Sequence, residues 1–244
     1  MQVPVRMEVT VLADSIALNK ECKSSYGLSM HVRLHYDDNS IRSFLFDTSE
    51  SWATLRHNIK ALNIKCDFRK VVISHWHRDH YGGLKGVVEY CNEVTRVYGP
   101  TRWLICKELE KLGVDFVECR GKIQVYKGVW IIGPISGSLE VALKVYIEGL
   151  GPVILTGCGH AGVTRILRWA LNSKEKLYGI IGGLHIRRDY GETTLKVAKL
   201  LLERDLKMFV PLHHKFRKAI KFRAYLKDVL VDSGVGGKII VKKE

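Results

Sequence analysis

The segment 75–80, which reads His-Trp-His-Arg-Asp-His, restricts what this chain can fold into more than any other feature of the sequence. It follows, after Ser74, the apolar run 71–73, which has the pattern of a short buried strand. Ligands packed so closely need a rigid support, and the end of a core strand provides one. The pattern therefore predicts a metal site at the edge of a sheet.

The spacing within this segment predicts two metal ions. In a loop that leaves a strand, His75 and His77 lie on one side and converge on a first ion. Asp79 and His80, on the following turn, face a second ion. Imidazole and carboxylate ligands suit zinc, with manganese and iron as alternatives, and two such ions make a shared water acidic enough to ionise near neutral pH. A single structural zinc site is the non-catalytic alternative, but such sites favour cysteine ligands, which this segment lacks.

At these residues the chain resembles the metallo-β-lactamase superfamily, whose signature is H-x-H-x-D-H at the end of a core strand. The resemblance implies an α/β fold, a four-layer αββα sandwich with its metal site at one edge of two sheets. It also implies that Asp47, in a Phe-Asp-Thr motif, braces the metal loop. His160, His185 and His213 become further ligand candidates by the same resemblance, although a lone His that ends a strand, such as His185, is more often a core residue.

Within the superfamily, the chain is most similar to the group typified by archaeal 7,8-dihydropterin-6-methyl-4-(β-D-ribofuranosyl)aminobenzene 5′-phosphate synthase, which acts in methanopterin-type cofactor synthesis. The shared motifs are F-D-T at 46–48, S-H-x-H-x-D-H-x-G-G-L at 74–84, T-G-C-x-H-A-G at 156–162 and I-G-G-x-H at 181–185. They cover most of the chain. The group's pattern is altered at 25–26, 49 and 214–216, so the substrate can differ.

The cysteines divide into one candidate ligand and five others. Cys158 stands where many superfamily members place a bridging Asp, so its thiolate can ligate a metal. A packing role is the interpretation we favour, because His160 can complete the first site alone. The remaining cysteines form no C-x-x-C pair, and we expect small packing side chains rather than a disulfide framework. These are Cys22, Cys66, Cys91, Cys106 and Cys119.

Length and patterning favour a single domain over 1–244. No apolar run is long enough to span a membrane. The first ten residues alternate as a strand does and do not resemble a signal peptide, so we expect a cytoplasmic protein. The oligomeric state is left open.

A strong positive charge predicts an anionic substrate. The chain has 39 Lys and Arg against 25 Asp and Glu, a formal net charge of +14. Such a field attracts a phosphate or pyrophosphate compound, and nucleic acid as well. The segment 215–227 concentrates the charge, so Lys215, Arg217 and Lys218 are the candidate substrate-binding residues, with a solvated helix face as the alternative.

Two classes of function remain open at this stage. The first is a metal-dependent transferase of the synthase type, in which an amino-bearing arene displaces pyrophosphate from a dihydropterin. The second is a dinuclear metallohydrolase acting on a phosphodiester, including RNA, or on an ester or lactone. Both use the same ligands, with Asp79 and Asp47 as the candidate catalytic residues. An anion-binding module that has merely kept a metal is a third, non-enzymatic alternative.

Overall fold

Two sheets are built from the alternating apolar segments of the sequence. A computed structural model describes residues 2–135, 139–213 and 215–243, with the backbone alone at 190 and 215–220. In chain order, the strands are β1 (Arg6–Ala13), β2 (Ser29–His35), β3 (Ile41–Phe46), β4 (Lys70–Val72), β5 (Arg96–Gly99), β6 (Asp115–Glu118), β7 (Gly121–Tyr126), β8 (Val129–Gly133), β9 (Ala142–Ile147), β10 (Gly151–Thr156), β11 (Gly179–Gly182), β12 (Met208–Pro211) and β13 (Lys238–Lys242). The helices are α1 (Trp52–Ala61), α2 (Arg78–Tyr81), α3 (Leu84–Tyr90), α4 (Trp103–Lys111), α5 (Val163–Ala170), α6 (Thr194–Glu203) and α7 (Lys215–Leu226).

The two sheets pack face to face. The first has the order β13-β1-β2-β3-β4-β5-β6, and the second has the order β12-β11-β10-β9-β8-β7. Strand β1 shows why these segments become strands. Its residues Met7, Val9 and Val11 alternate along the chain, and all three are fully buried in the cluster between the sheets. A period of two is what a strand with one face in the core requires.

Helices cover the outer face of each sheet. On the first sheet, Leu55 of α1 and Val87 of α3 pack on Val71 in one apolar cluster. On the second sheet, Ile166 of α5 and Leu201 of α6 belong to a separate cluster. Each side chain of this size that is removed from water contributes about 1.5–3 kcal/mol. The layers therefore follow the order helix, sheet, sheet, helix, and the predicted αββα sandwich is confirmed.

Parallel pairing brings the motif-bearing strand ends to one edge. Strands β10, β11 and β12 are parallel, with Thr156, Gly182 and Pro211 in register. In the first sheet, β3 and β4 are parallel, with Phe46 opposite Val72. The chain therefore leaves these five strands at their carboxyl ends, and each predicted metal motif follows one of them.

Strand β7 is an element that the sequence pattern did not predict. It begins at Gly121, and only Ile123 and Val125 mark its alternation. It pairs antiparallel with β8 at the edge of the second sheet, with Ile123 opposite Ile131. Its conformation thus depends on a neighbouring strand more than on its own residues.

The cysteine prediction is wrong for one pair. Cys66 and Cys91 form a disulfide, with their Cα atoms 5.2 Å apart. Cys66 lies in the loop after α1, and Cys91 is the C-cap of α3. Because α1 and α3 pack side by side, residues separated by 25 positions become neighbours, and their spacing in the sequence gives no sign of this.

None of the helices in the described part of the chain combines the length and the apolar character that a membrane crossing requires.

Candidate metal centre

The loop after β4 divides its side chains between two groups. The chain stays extended as far as His77, the N-cap of α2, so His75 and His77 point to the same side. The Nε2 atom of His75 lies 3.0 Å from Nδ1 of His77. The helical turn then redirects the chain, and Asp79 Oδ2 lies 3.4 Å from Nε2 of His213 and 3.7 Å from Nε2 of His80.

Asp47 holds this loop from below. Its backbone has a φ of 58°, a left-handed conformation that Asp adopts more readily than most residues, and its side chain is fully buried. Oδ1 accepts a hydrogen bond from the backbone N–H of Ser74 at 2.7 Å. Oδ2 accepts from the Ser74 hydroxyl at 2.7 Å and from Nδ1 of His80 at 2.6 Å. Asp47 thus fixes the start of the loop and the ring of His80 together.

These hydrogen bonds determine which ring nitrogens face the centre. Because His80 donates from Nδ1 to Asp47, its Nε2 carries a lone pair, 3.2 Å from Nε2 of His213. The Ser74 hydroxyl gives its proton to Asp47, so it accepts from Nδ1 of His75 at 2.9 Å. Nε2 of His75 then carries a lone pair as well. Both rings present the tautomer that metal ligation needs.

Cys158 joins the two groups. The ligand atoms of His75, Cys158 and His160 all lie within 4.8 Å of one another, and so do those of His80, Cys158 and His213. The side chain of Cys158 is buried. The sequence left its role open between ligand and packing residue. A sulfur that belongs to both groups could serve either ion, and its role as a ligand stays a prediction.

Gly157 allows the Cys158 loop to pack against the brace. A Cβ atom at this position would lie 2.0 Å from Oγ of Ser74 and 3.0 Å from Oδ2 of Asp47, which is too close for any side chain. The close approach of the loop after β10 to the end of β4 is what places the thiol between the two sheets' ligands.

The protonation states suit metal binding. Burial lowers the pKa of His75, of His213 and of His160, the last to about 4. Burial raises the pKa of Asp79, but the hydrogen bond from His213 and the nearby imidazoles lower it overall. His80 is the exception: burial lowers its pKa, yet the Asp47 charge raises it overall.

The residues present have the chemistry of transition-metal ligands. Nε2 of His160 is buried and has no hydrogen-bond partner among the described residues, as expected for an unused ligand atom. Nitrogen, sulfur and carboxylate donors together suit zinc and its neighbours in the periodic table. His75, His77 and His160 would hold one ion and Asp79, His80 and His213 the other, with Cys158 between them.

His185 lies beside the centre. Its Nδ1 atom is 3.3 Å from the sulfur of Cys158, and its ring stacks on that of His160 with centroids 5.0 Å apart. It belongs to neither of the ligand groups found among the described residues. Its predicted role as a metal ligand stays a prediction, and its position favours contact with the thiol.

Two buried carboxylates at the centre were missed by the sequence analysis. Glu140 accepts hydrogen bonds from the backbone N–H groups of Cys158 and Gly159, both at 2.8 Å, and so positions the thiol loop. Asp14 accepts from the backbone N–H of His213 at 2.8 Å. Each is a single residue without a motif. The only available signal was a lone acid within an apolar run.

The predicted substrate residues lie where the structure describes little. Lys215, Arg217 and Lys218 belong to the first turn of α7, close after His213 in the chain, but their side chains lie outside the described residues. His214 lies outside them entirely. Their predicted roles stay predictions.

Several solved structures superpose on this chain along nearly its whole length. Tm1679, described as a metal-dependent hydrolase of the beta-lactamase superfamily, superposes with a TM-score of 0.73 at 24% identity, covering 97% of this chain and 100% of that one. The chain has the metallo-β-lactamase fold. YhfI from Bacillus subtilis, a protein of the same fold, gives a TM-score of 0.63 at 16% identity, covering 97% and 99%. Human tRNase Z, short form, gives 0.60 at 15% identity, covering 95% and 98%.

Sequence comparison gives a more specific relative. The 7,8-dihydropterin-6-methyl-4-(beta-D-ribofuranosyl)-aminobenzene-5′-phosphate synthase of Methanocaldococcus jannaschii is 24% identical over 248 residues, covering 81% of this chain and 83% of that protein. An uncharacterised protein of the same organism is 23% identical over 212 residues, covering 73% and 79%. No protein-family model matches the chain. The synthase relative supports an enzyme, and the solved structures support the fold.

The altered motif positions meet beside the second ligand group. Oγ of Ser25 lies 3.1 Å from Oγ of Ser49. The ring of Tyr26 packs edge-on against that of His213, with centroids 5.8 Å apart. The departures from the synthase pattern at 25–26 and 49 are therefore one local change at the centre, and not scattered substitutions.

Proposed function

We propose that this chain is a metal-dependent transferase of the dihydropterin synthase type. The observation that carries the proposal is the pair of ligand groups that share Cys158, in a chain related over most of its length to a named synthase. In the proposed reaction, the arene amine forms a C–N bond to the pterin methylene. The C–O bond to the diphosphate breaks, pyrophosphate leaves with the electron pair, and the amine loses a proton.

The chain's own residues would bind and orient the reactants. When bound, two divalent ions would neutralise the charge that grows on the leaving oxygens. Asp79 lines a cavity together with Tyr26 and Glu50, so it is a ligand that a substrate can meet directly. Asp47 would act indirectly, because its hydrogen bonds set the tautomer of His80 and the position of Ser74.

A metallohydrolase is the second candidate. The local change at Ser25, Tyr26 and Ser49 favours a substrate other than that of the synthase. Tyr26 packs against His213, and Ser25, its neighbour in the chain, contacts Ser49. The net charge of +14 suits a phosphodiester, including RNA. The same ligand groups serve this reaction.

The two candidates are separated by substrate dependence. Metal-loaded protein is incubated with the dihydropterin diphosphate, the arene phosphate, or both, and pyrophosphate release is measured. A synthase releases pyrophosphate only when both are present. RNA and a generic phosphodiester are tested in parallel with the same preparation. Cleavage of either one, unaffected by pterin and without pyrophosphate release, would replace the synthase proposal with the hydrolase. Metal-loaded protein that turns over none of these substrates would support the anion-binding module.

A further inference from the structure

Two cavities flank the ligand cluster and differ in charge. One, of about 430 Å³, is lined by His75, His77 and His160 together with Trp76, Arg102 and Arg187. The other, of about 510 Å³, lies on the opposite side of the cluster, where Tyr26 meets the carboxylates of Glu50 and Asp79 and one cation, Arg78. Substrate can approach the centre from both sides.

The charge of the first cavity is positive. Besides its imidazoles it contains two guanidinium groups and one carboxylate, Glu140. That carboxylate is engaged with the backbone of the Cys158 loop: Oε1 accepts two hydrogen bonds of 2.8 Å, and Oε2 accepts one from the N–H of Ala161 at 3.4 Å. The second cavity has two carboxylates against one guanidinium. An anionic group is therefore attracted to the first cavity and disfavoured in the second.

The guanidinium of Arg102, which lines the first cavity, stacks against two aromatic rings. Its guanidinium lies 5.9 Å from the ring centroid of Trp76 and 5.3 Å from that of Tyr81. The indole of Trp76 is fixed by a hydrogen bond of 2.8 Å to the carbonyl of Pro100. The described residues give Arg102 no carboxylate partner, so its charge is stacked but not neutralised.

Arg187 closes the same cavity from the other sheet. Its Nη1 donates to the backbone carbonyl of His160 at 3.3 Å. Its Nε and Nη2 both donate to the carboxylate of Asp189, the Nε bond at 2.8 Å. The Asp189 side chain is about half exposed. Arg187 is thus tied to the backbone of a ligand residue and paired with Asp189, so an incoming anion would compete with that carboxylate for the guanidinium.

We propose that this cavity is the subsite for a phosphate or diphosphate group of the substrate, with Arg102 as its main anchor and Arg187 as its second. The proposal rests on the proposed function, since it names where the anionic end of that substrate binds. A guanidinium offers two parallel N–H donors that match the oxygens of a phosphate. An anion bound in this subsite would lie beside His75, His77 and His160. The cavity lined by Tyr26 would then receive the uncharged aromatic part of the substrate.

Inorganic pyrophosphate is the first probe. Its affinity for metal-loaded protein is measured by titration calorimetry and by intrinsic tryptophan fluorescence, to which Trp76 in the cavity contributes. Arg102→Gln should weaken pyrophosphate binding by about tenfold or more, because a charge-assisted contact is lost, while metal content stays the same. Arg56→Gln is the matched control, since Arg56 also stacks on an aromatic ring, 5.2 Å from the centroid of Tyr90, but lies on α1 away from the cavity. Arg102→Lys keeps the charge but loses the paired donors, so its pyrophosphate affinity should lie between that of Arg102→Gln and that of the unmodified protein.

The two natural sources of the anion are then separated by kinetics. A rise in KM for the dihydropterin diphosphate alone in Arg102→Gln would assign the cavity to the leaving diphosphate. A rise for the arene phosphate alone would assign it to the ribose phosphate. Pyrophosphate affinity within twofold of the unmodified protein, or a loss of affinity with neither KM changed, would overturn the proposal. If the unmodified protein makes no product yet binds pyrophosphate through Arg102, the synthase proposal fails and the anion subsite stands.

Discussion

A single buried carboxylate, Asp47, selects the tautomers of two imidazoles at the centre. It accepts directly from His80 and, through the Ser74 hydroxyl, sets the donor direction of His75. Metal affinity at this centre therefore depends on a residue that is not itself among the predicted ligands.

Replacing Asp47 by Asn tests this dependence. The amide would put N–H groups against a donor of Ser74 or His80, so we expect Asp47→Asn to keep the fold and to weaken metal affinity by roughly tenfold to a hundredfold. Competition with a chelator measures the affinity, and circular dichroism checks the fold. Asp37→Asn, at an exposed turn, is the control. Unchanged affinity would place Asp47 outside the centre.

The sulfur of Cys158 gives a second prediction at this scale. If the thiolate ligates both ions, cobalt-substituted protein should show a sulfur-to-metal charge-transfer band. Cys158→Ser should abolish the band and lower metal content, and Cys158→Asp should restore two ions while shifting the preference towards harder metals. Cys106→Ser, in α4, should leave the spectrum unchanged. A cobalt-loaded protein without the band would assign Cys158 to packing.

Strand ends organise the centre at the scale of elements. The loops after β10, β11 and β12 carry Cys158, His185 and His213, and each loop is held by a contact from elsewhere in the chain. Glu140 holds the first of these through backbone N–H groups, and Asp14 holds the last. These carboxylates act on backbone geometry, so their loss should affect both stability and metal binding.

Glu140→Ala is expected to leave the buried N–H groups of Cys158, Gly159 and Ala161 without their carboxylate partner. Each unsatisfied group costs about 1–3 kcal/mol, so thermal stability should fall clearly. Metal content should fall too, because Cys158 and His160 lose their support. Glu140→Gln keeps an acceptor and should be milder on both counts. Glu203→Ala, at the exposed end of α6, is the control. If Glu140→Ala binds metal as tightly as the unmodified chain, the carboxylate does not position the loop.

Sequence reasoning identified the elements that carry a local pattern. The alternation of β1 and the H-x-H-x-D-H loop are readable because neighbouring residues encode them. Glu140, Asp14 and Arg102 were not identified, since each reaches the centre from a distant loop and has no motif of its own. The Cys66–Cys91 pair and edge strand β7 were missed for the same reason: both depend on which elements become neighbours.

The whole molecule carries a positive field that should act on the rate of substrate capture. With a net charge of +14, association with a phosphorylated substrate is steered at low ionic strength and screened by salt. We expect kcat/KM to fall severalfold when salt rises from about 50 to about 500 mM, with kcat little changed. An uncharged substrate analogue is the control. A kcat/KM that does not respond to salt would show that the charge has no part in binding.

The metal stoichiometry of the whole protein tests the central claim most directly. Elemental analysis of purified or reconstituted protein should find close to two transition-metal ions per chain. His77→Ala should lose the ion of the first ligand group, Asp79→Ala should mainly lose that of the second, and His57→Ala, on α1, should keep both. Protein that binds no transition metal as purified and none on reconstitution would contradict the account.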